Sequence, residues 1–591
     1  MMALLIPQVA SFPYASLTKK LPPNKTSFSG TIQCKASSAS VSDQNQQVSR
    51  QSVNFKPDFW NHDYIQSLDN QYKDQAYEEE NRKLRSEVRK MLLETANTLD
   101  QLEFIDTLQR LGLGHHFKEE INKILGNICN NVDKFKSKQN LRAVALVFRL
   151  LRQHGYEIST DVFDSFKNEE GDFETSLSED IRGILSLYEA SFLLMEDENN
   201  LDKAKDFTSK SLEDFVSKNP THELKSQVKH ALEVPLHWRL PRWEARWFIG
   251  EYERIPNMNP TLLHLAKLDY NMLQAMYQEE VKSNIRWWER SGLEKKVKFF
   301  RCRVVDNYVW GLGMQDGPEY GKLRKVIGNF CAMIALTDDM YDVYGTLQEL
   351  ELFTEAIIRW DANDLDNLPD YMKVVFFAIY NFADEVASEV LKEKGQNVHS
   401  YLKKGWQDLC RAYIVEARWY HGGKTPSLKE YLENGSISIG AHISHLHAYL
   451  YLPDNAIRKM DLDSLDPSRS NLIYSSSLNA RLLNDLGSFK REKKTGDVPS
   501  AIQLYMNDSG ASEEEAIQHI KRLIYKTWQK INQQVATSSF SRDFNMSAWE
   551  ISRTSIFHYS KEDDSYTLQH SEFEDLVHLL IFDPIPNITC S

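Results

Sequence analysis

The chain is 591 residues long, 41% hydrophobic and 26% charged, with a formal net charge of −14 at pH 7. That length exceeds what one hydrophobic core can organise and calls for two or three domains. The acidic balance, with no dominant basic face, excludes nucleic acid as a partner, and no apolar run approaches the ~18–20 residues of a membrane span.

Residues 1–49 differ from everything after them. The first fifty positions hold nine serines, four lysines and one arginine against a single acidic residue, Asp43. A serine-rich, basic, acid-poor start without an apolar h-region has the character of an organelle transit peptide. From Arg50 onward the chain reads as helix. There are 24 glycines and 18 prolines, about 7% of residues against roughly 12% in average usage, and apolar residues recur at i, i+3 and i+4. "RKLRSEVRKMLLE" and "LEFIDTLQRLGLGHHF" are amphipathic, and Gly112 and Gly114 mark a helix end. "LRAVALVFRLLRQHGYEI" and "DIRGILSLYEASFLL" continue the pattern. Two prolines and two asparagines in "ERIPNMNPTLL" (253–263) mark a boundary, which divides the chain into an N-terminal helical domain (50–258) and a C-terminal one (259–591). The expected fold is all-α. Cys34, Cys129, Cys302, Cys331, Cys410 and Cys590 stand far apart, without ligand spacing, and read as reduced thiols.

The stretch "LTDDMYDVYG" (336–345) concentrates charge. Asp338, Asp339 and Asp342 have no lysine or arginine between Lys325 and Arg359 to neutralise them. On a helix Asp338 and Asp342 share a face while Asp339 is turned by about 100°. Gly345 and the capping-box pattern of Thr346 and Glu349 end this helix and begin another. The carboxylates therefore sit near a helix C-terminus, where the macrodipole disfavours anions. Leu336, Met340, Tyr341 and Tyr344 around them add desolvation. A divalent cation removes both objections, and oxygen-only ligands favour magnesium or manganese over zinc. Chance placement of three acids at these offsets in an acidic chain is the competing reading.

Further along, "ARLLNDLGSFKREKKTGD" places Asn484, Ser488 and Glu492 at i, i+4 and i+8, three hard oxygen donors on one helix face. Arg481 lies on the same side one turn earlier, and Lys490, Arg491, Lys493 and Lys494 interleave with the donors. A diphosphate bridged by Mg²⁺ suits that mixture, with Arg481 as a direct partner; a solvated helix end is the plain alternative. "FFRCRVVDNYVW" sets Arg301 and Arg303 at a helix start and Trp310 two turns on. Tyr559, Asp564 and Tyr566 in "FHYSKEDDSYT" offer further aromatic and acidic groups. Core packing is the default for any one of these rings. Together they fit a reaction in which an anion leaves and a carbocation is cradled by rings.

These motifs resemble those of plant class I terpene synthases, and most closely the angiosperm monoterpene synthases. The DDxxD segment "LTDDMYDVYGTLQELELFTEAIIRWD", the second metal motif "NDLGSFKRE", and "RLLRQHGY", "LSLYEASFLL", "VPLHWRLPRWEARWF" and "DSYT" carry the resemblance, which runs from Arg50 to Pro586. It implies an N-terminal α-barrel-like domain and a C-terminal metal-binding bundle. It implies a lyase that ionises geranyl diphosphate with loss of diphosphate, giving an acyclic or cyclic monoterpene, in the plastid (chloroplast) stroma, as a monomer or homodimer. By motif, Asp338, Asp339 and Asp342 hold two Mg²⁺ (or Mn²⁺), and Asn484, Ser488 and Glu492 a third. Arg301, Arg303 and Arg481 face the diphosphate, and Trp310, Tyr559, Asp564 and Tyr566 line the pocket.

The chain departs from the family's pattern in places. Where the family has tandem arginines eight residues before a tryptophan, this chain has Arg50, Gln51 and then Trp60, so an acyclic product stays open. Cys302 stands for the usual aspartate between the arginines, and Gly487 occupies a variable position. His442, His445 and His447 fall in the segment resembling the family's kinked, pocket-lining helix, as packing residues or as a terminal base or water holder. A sesquiterpene synthase using farnesyl diphosphate is the nearest rival. A chain-elongating prenyltransferase would carry a second aspartate-rich motif at 484–492, and a protonation-initiated cyclase a DxDD motif that "DLDSLD" (461–466) lacks. A non-catalytic metal-binding helical protein would make the convergence of motifs a coincidence.

Overall fold

The computed structural model describes residues 58–131, 140–297, 299–300, 302–453, 456–495, 499–559 and 572–586, with backbone alone over 491–495. Arg50, Gln51, Arg301, Asp564, Tyr566 and the side chain of Glu492 lie outside it. Helices account for most of the described chain; the one β element among these residues is an isolated bridge between Lys167 and Phe173.

In the first half, α1 (Gln75–Glu94) and α2 (Thr98–Arg110) are joined at a cap where Asn97 accepts from the amides of Leu99 and Asp100. The second of these helices stops at Gly112, whose φ of +77° is open to glycine at no steric cost. α3 (Leu141–Gln153), α4 (Ile181–Ser191) and α5 (Asn199–Lys218) follow and pack on one another in order. α3 buries ten of its thirteen residues, including Arg149 and Arg152, which is why "LRAVALVFRLLRQ" reads as apolar nearly all round. α6 (Pro241–Glu253) closes this half, and the chain then turns through Pro256 and Asn257 into α7 (Pro260–Ser291).

α7 is the spine. It packs on α1 behind it and on α8 (Val304–Met314) and α9 (Gly321–Asp339) ahead of it. Glu280 of α7 takes a bidentate pair from Arg324 of α9, both contacts at 2.8 Å, and accepts Tyr308 Oη of α8 at the same distance. A buried charge satisfied from both neighbours is strong in geometry, and losing one partner strands the other. The longer helices that follow are α10 (Leu347–Arg359), α11 (Asp370–Lys394), α12 (His399–Gly422), α13 (Leu428–Ser438), α14 (Ala441–Tyr451), α15 (Asn471–Thr495), α16 (Glu513–Thr537) and α17 (Arg542–Tyr559). Of these, α15 is central, packing against α13, α14, α16 and α17. Gly440, φ +74°, breaks α13 from α14, and a Cβ there would lie 2.3 Å from Ile334. A short C-terminal segment (572–586) returns along α7, where Asn271 and Gln274 bind the carbonyls of Ile585, Leu579 and Asp583.

Candidate active site

The aspartate-rich stretch is not one continuous α-helix. α9 ends at Asp339, and Met340–Tyr344 forms a π-turn closed by the Gly345 amide on the Met340 carbonyl at 2.8 Å. Such a turn widens the helix end and is frequent at functional sites. The expected capping box is present: the Thr346 amide donates to Glu349 Oε2 (3.0 Å) and the Glu349 amide to Thr346 Oγ1 (3.4 Å). Asp339 is only 1% exposed, Asp338 half-buried and Asp342 exposed.

The charge of this turn registers on α12. Burial, then the negative charges of Asp338, Asp342 and Glu416, push the Tyr413 phenol far above its ordinary range. Glu416, one turn on, is itself raised, first by burial and also by Asp338, while Arg481, Ser438 and Asn434 act to lower it. Glu416 thus couples the two motifs. Its Oε1 accepts from Ser438 Oγ (2.6 Å) and Asn434 Nδ2 (3.0 Å) and lies 4.0 Å from Arg481 Nη2. Arg481 Nη2 donates to Ser438 Oγ at 2.9 Å, and Nη1 to Asn484 Oδ1 at 3.2 Å and Asp485 Oδ1 at 3.5 Å. Ser488 Oγ donates to the Asn484 carbonyl at 2.9 Å, so its lone pairs remain for a ligand.

Asp338 acts on Glu416, and both act with Asp342 on Tyr413; a hard divalent cation on the aspartate oxygens would offset that negative charge. The residues present therefore suit magnesium.

On the other side, Phe299 stacks on Tyr344 (centroids 4.3 Å, 13°), and Tyr371 meets both rings edge-on while donating to Glu349 Oε2 at 2.9 Å. This aromatic trio ties the segment that carries Arg303 to the aspartate turn. Arg303 is the N-cap of α8, with Nε 4.0 Å from Asp306 Oδ2. Asp306 Oδ1 accepts Trp60 Nε1–H at 2.7 Å. Burial, opposed by that bond, raises the Asp306 carboxyl to about 7. Trp310 stacks on His558 at 4.2 Å and stands 5.9 Å from Tyr559. Burial lowers His558 to about 4, so its ring is neutral. Gly487 explains how Tyr559 arrives: a Cβ there would lie 2.7 Å from the Tyr559 carbonyl oxygen and 3.0 Å from its Cβ. Only glycine lets α15 and α17 approach so closely.

The sequence alone did not disclose Glu416, Tyr413, Ser438, Asp306 or His558. Asp306 and His558 stand inside quoted segments without being singled out there, and Glu416, Tyr413 and Ser438 belong to no motif. The one available signal was the "EARWYHGGKTPS" segment, where an acid follows an apolar run.

The three histidines of α14 are buried. His445 is shared between Ser476 Oγ (2.6 Å) and Ser547 Oγ (2.9 Å), and His447 Nδ1 donates to the Ile443 carbonyl (2.8 Å). Burial lowers His442 and His447 to about 4 and His445 to about 3. They are neutral packing groups near pH 7.

Residues 289–530 match the family described as "Terpene synthase family, metal binding domain", and residues 59–232 match "Terpene synthase, N-terminal domain". A myrcene synthase, chloroplastic, of Quercus ilex is 47% identical over 543 residues, 91% of this chain and 90% of that one. A crystal structure of limonene synthase with 2-fluorolinalyl diphosphate superposes with a TM-score of 0.88 at 41% identity, covering 91% of this chain and all of the other. Isoprene synthase from grey poplar, in complex with three Mg²⁺ ions and dimethylallyl-S-thiolodiphosphate, superposes with a TM-score of 0.82 at 39% identity over 89% of this chain and 99% of the other.

Proposed function

The chain belongs to the terpene synthase family, and from that premise we propose that it is a monoterpene synthase, a lyase that expels diphosphate from geranyl diphosphate. The observation that carries the site assignment is the Glu416 bridge: one half-buried carboxylate feels both Asp338 of the DDxxD turn and Arg481 of the second motif. Relatives named for myrcene and limonene, and the diphosphate-bound limonene synthase, favour the C10 substrate over farnesyl diphosphate.

Asp338, Asp339 and Asp342 would hold two ions and Asn484, Ser488 and Glu492 a third, magnesium by preference and manganese as the alternative. When bound, the ions stabilise the charge that builds on the departing diphosphate. The chain's own groups do the rest. Arg481, fixed by Ser438 and Asn484, presents its guanidinium to the leaving anion, and Arg303 does so from the N-cap of α8. Arg301 belongs with them by motif. At an effective dielectric of ~20, each close unit-charge contact is worth about 4 kcal/mol before desolvation. Trp310 and Tyr559 offer ring faces to the allylic cation. The neutral His558 behind Trp310 adds no opposing charge. Asp564 and Tyr566 complete the set in the segment beyond Tyr559.

The transit-like leader and the chloroplastic names of several relatives support a plastid address, within it the stroma. Among the described residues no helix is long and apolar enough to cross a membrane.

The test is product analysis by gas chromatography. Protein starting at Arg50 is incubated with Mg²⁺ and, separately, geranyl and farnesyl diphosphate, beside Asp338→Ala. A C10 product that disappears in the variant is expected. Turnover of the C15 substrate alone overturns the substrate assignment, and no turnover of either overturns the activity.

A further inference from the structure

Away from that site, one cluster joins the two halves of the molecule. His115 and His116 sit on the turn Gly114–Phe117 that follows α2, and Asp269 lies on α7. His116 Nε2 approaches Asp269 Oδ1 at 2.6 Å, and Asn81 Nδ2 of α1 donates to the same oxygen at 3.1 Å. Oδ2 faces the other ring, with His115 Nε2 at 3.7 Å.

The protons can be placed. His115 Nδ1–H donates to the Gly112 carbonyl at 3.0 Å, which leaves Nε2 as a lone pair. That nitrogen is buried and has no hydrogen-bond partner among the described residues. A nitrogen lone pair and a carboxylate oxygen therefore face each other with no hydrogen between them. An imidazole tied through Nδ1 to a backbone carbonyl, its Nε2 aimed at a carboxylate, has the arrangement that second-shell hydrogen bonds give to metal-ligating histidines. The three candidate ligand atoms all lie within 4.8 Å of one another. Tetrahedral ligation at roughly 2.1 Å sets ligands ~3.4 Å apart, so the 3.7 Å gap closes with a shift of a few tenths of an ångström.

The geometry points to a second metal site, a zinc-type site of two imidazoles and one carboxylate that clamps the 115–116 turn to α7. Its donors are softer than the all-oxygen set of the active site, so it takes a late first-row divalent cation in the presence of magnesium. Two contacts oppose it. The His116 Nε2–Asp269 Oδ1 bond, 2.6 Å long, must open by about 0.8 Å to reach ligand spacing. Arg85 Nη1 stands 3.2 Å from His116 Nδ1 and, as a donor, holds the His116 proton on Nε2. Ligation by His116 moves that proton to Nδ1 and displaces Arg85. Arg85 Nε is buried without a partner, so little else holds this guanidinium in place.

The experiment uses the full chain, stripped with chelator, saturated with Mg²⁺ to fill the aspartate site, and titrated with Zn²⁺ by calorimetry, with melting temperature as a second readout. One zinc is expected, and with it a higher melting temperature. His115→Ala, which leaves the His116–Asp269 bond in place, should weaken binding at least tenfold and abolish the shift while melting as wild type does in chelator. Arg85→Met should bind zinc several-fold more tightly, because the His116 proton is freed; a merely structural arginine would not give this. Equal zinc affinity in wild type and His115→Ala, or no gain in Arg85→Met, overturns the site. Should His115→Ala fail to fold, Co²⁺ added to the wild-type protein in excess Mg²⁺ decides. The visible bands of imidazole-ligated, four-coordinate cobalt are expected, and a weak six-oxygen spectrum alone overturns the proposal.

Discussion

Asp306 makes the stability of this protein depend on pH in a way that one substitution can isolate. Its carboxyl stands at about 7 against an ordinary 3.8, with burial as the leading cause. A native pKa above the unfolded one means that the native state binds more protons. Stability from this group is therefore complete below about pH 4 and is lost as pH rises toward 7. A shift of about three units at ~1.4 kcal/mol each gives roughly 4 kcal/mol. The side chain keeps 22% exposure, so solvent screens part of this and about 2 kcal/mol is expected. Asp306→Asn is nearly isosteric, its carbonyl oxygen still accepts Trp60 Nε1–H, and it cannot ionise. Urea unfolding at pH 5 and at pH 8.5 gives the stability difference between variant and wild type at each pH, and every other titrating group cancels in the comparison. About two of the three units lie above pH 5, so the variant should gain roughly 1 kcal/mol on wild type between the two. A difference that stays constant with pH refutes the burial argument, and one that moves the other way refutes its sign.

Trp60→Phe removes the only N–H that Trp60 gives Asp306 and should cost about 1–3 kcal/mol at pH 8.5, measured in the same assay, with less loss at pH 5 where the carboxyl is protonated. Gly487→Ala drives a methyl against the Tyr559 backbone at 2.7 Å; overpacking of this kind costs roughly 1–3 kcal/mol and, by tilting the end of α17 away from Trp310, should lower turnover more than it lowers melting temperature. Asp338→Ala should reduce turnover of geranyl diphosphate by roughly 10²–10³-fold or more while leaving stability equal or slightly higher, since a charge that disfavours ionised Glu416 is gone. Arg481→Met leaves the buried Asp485 and the half-buried Glu416 without their cation and should destabilise by about 3 kcal/mol, whereas Arg481→Lys retains most of the stability but not the paired guanidinium contacts.

The sequence disclosed a great deal of this molecule, and where it stopped is physically instructive. Periodicity and scarce breakers announced an all-helical chain, and the capping box at Thr346 and Glu349 lies where its pattern put it. Those signals are local: each is a relation among residues within two turns of one helix. The π-turn at 340–344 was not legible, because nothing in "MYDVY" distinguishes a five-residue closure from a four-residue one; the choice rests on how Gly345 meets Leu350 and the Met340 carbonyl. Gly487 shows the same limit from the other side. In sequence it was an odd residue inside a motif, and only the approach of α17 gives it a reason. Glu416 marks the deeper boundary. It stands about 75 residues from the aspartates and 65 from Arg481, on a helix with no motif of its own, yet it is the group through which the two motifs feel each other. A motif names the atoms that meet a ligand. The residues that hold two motifs in register are chosen by packing between helices remote in sequence, so a single chain read residue by residue recovers the first kind and misses the second.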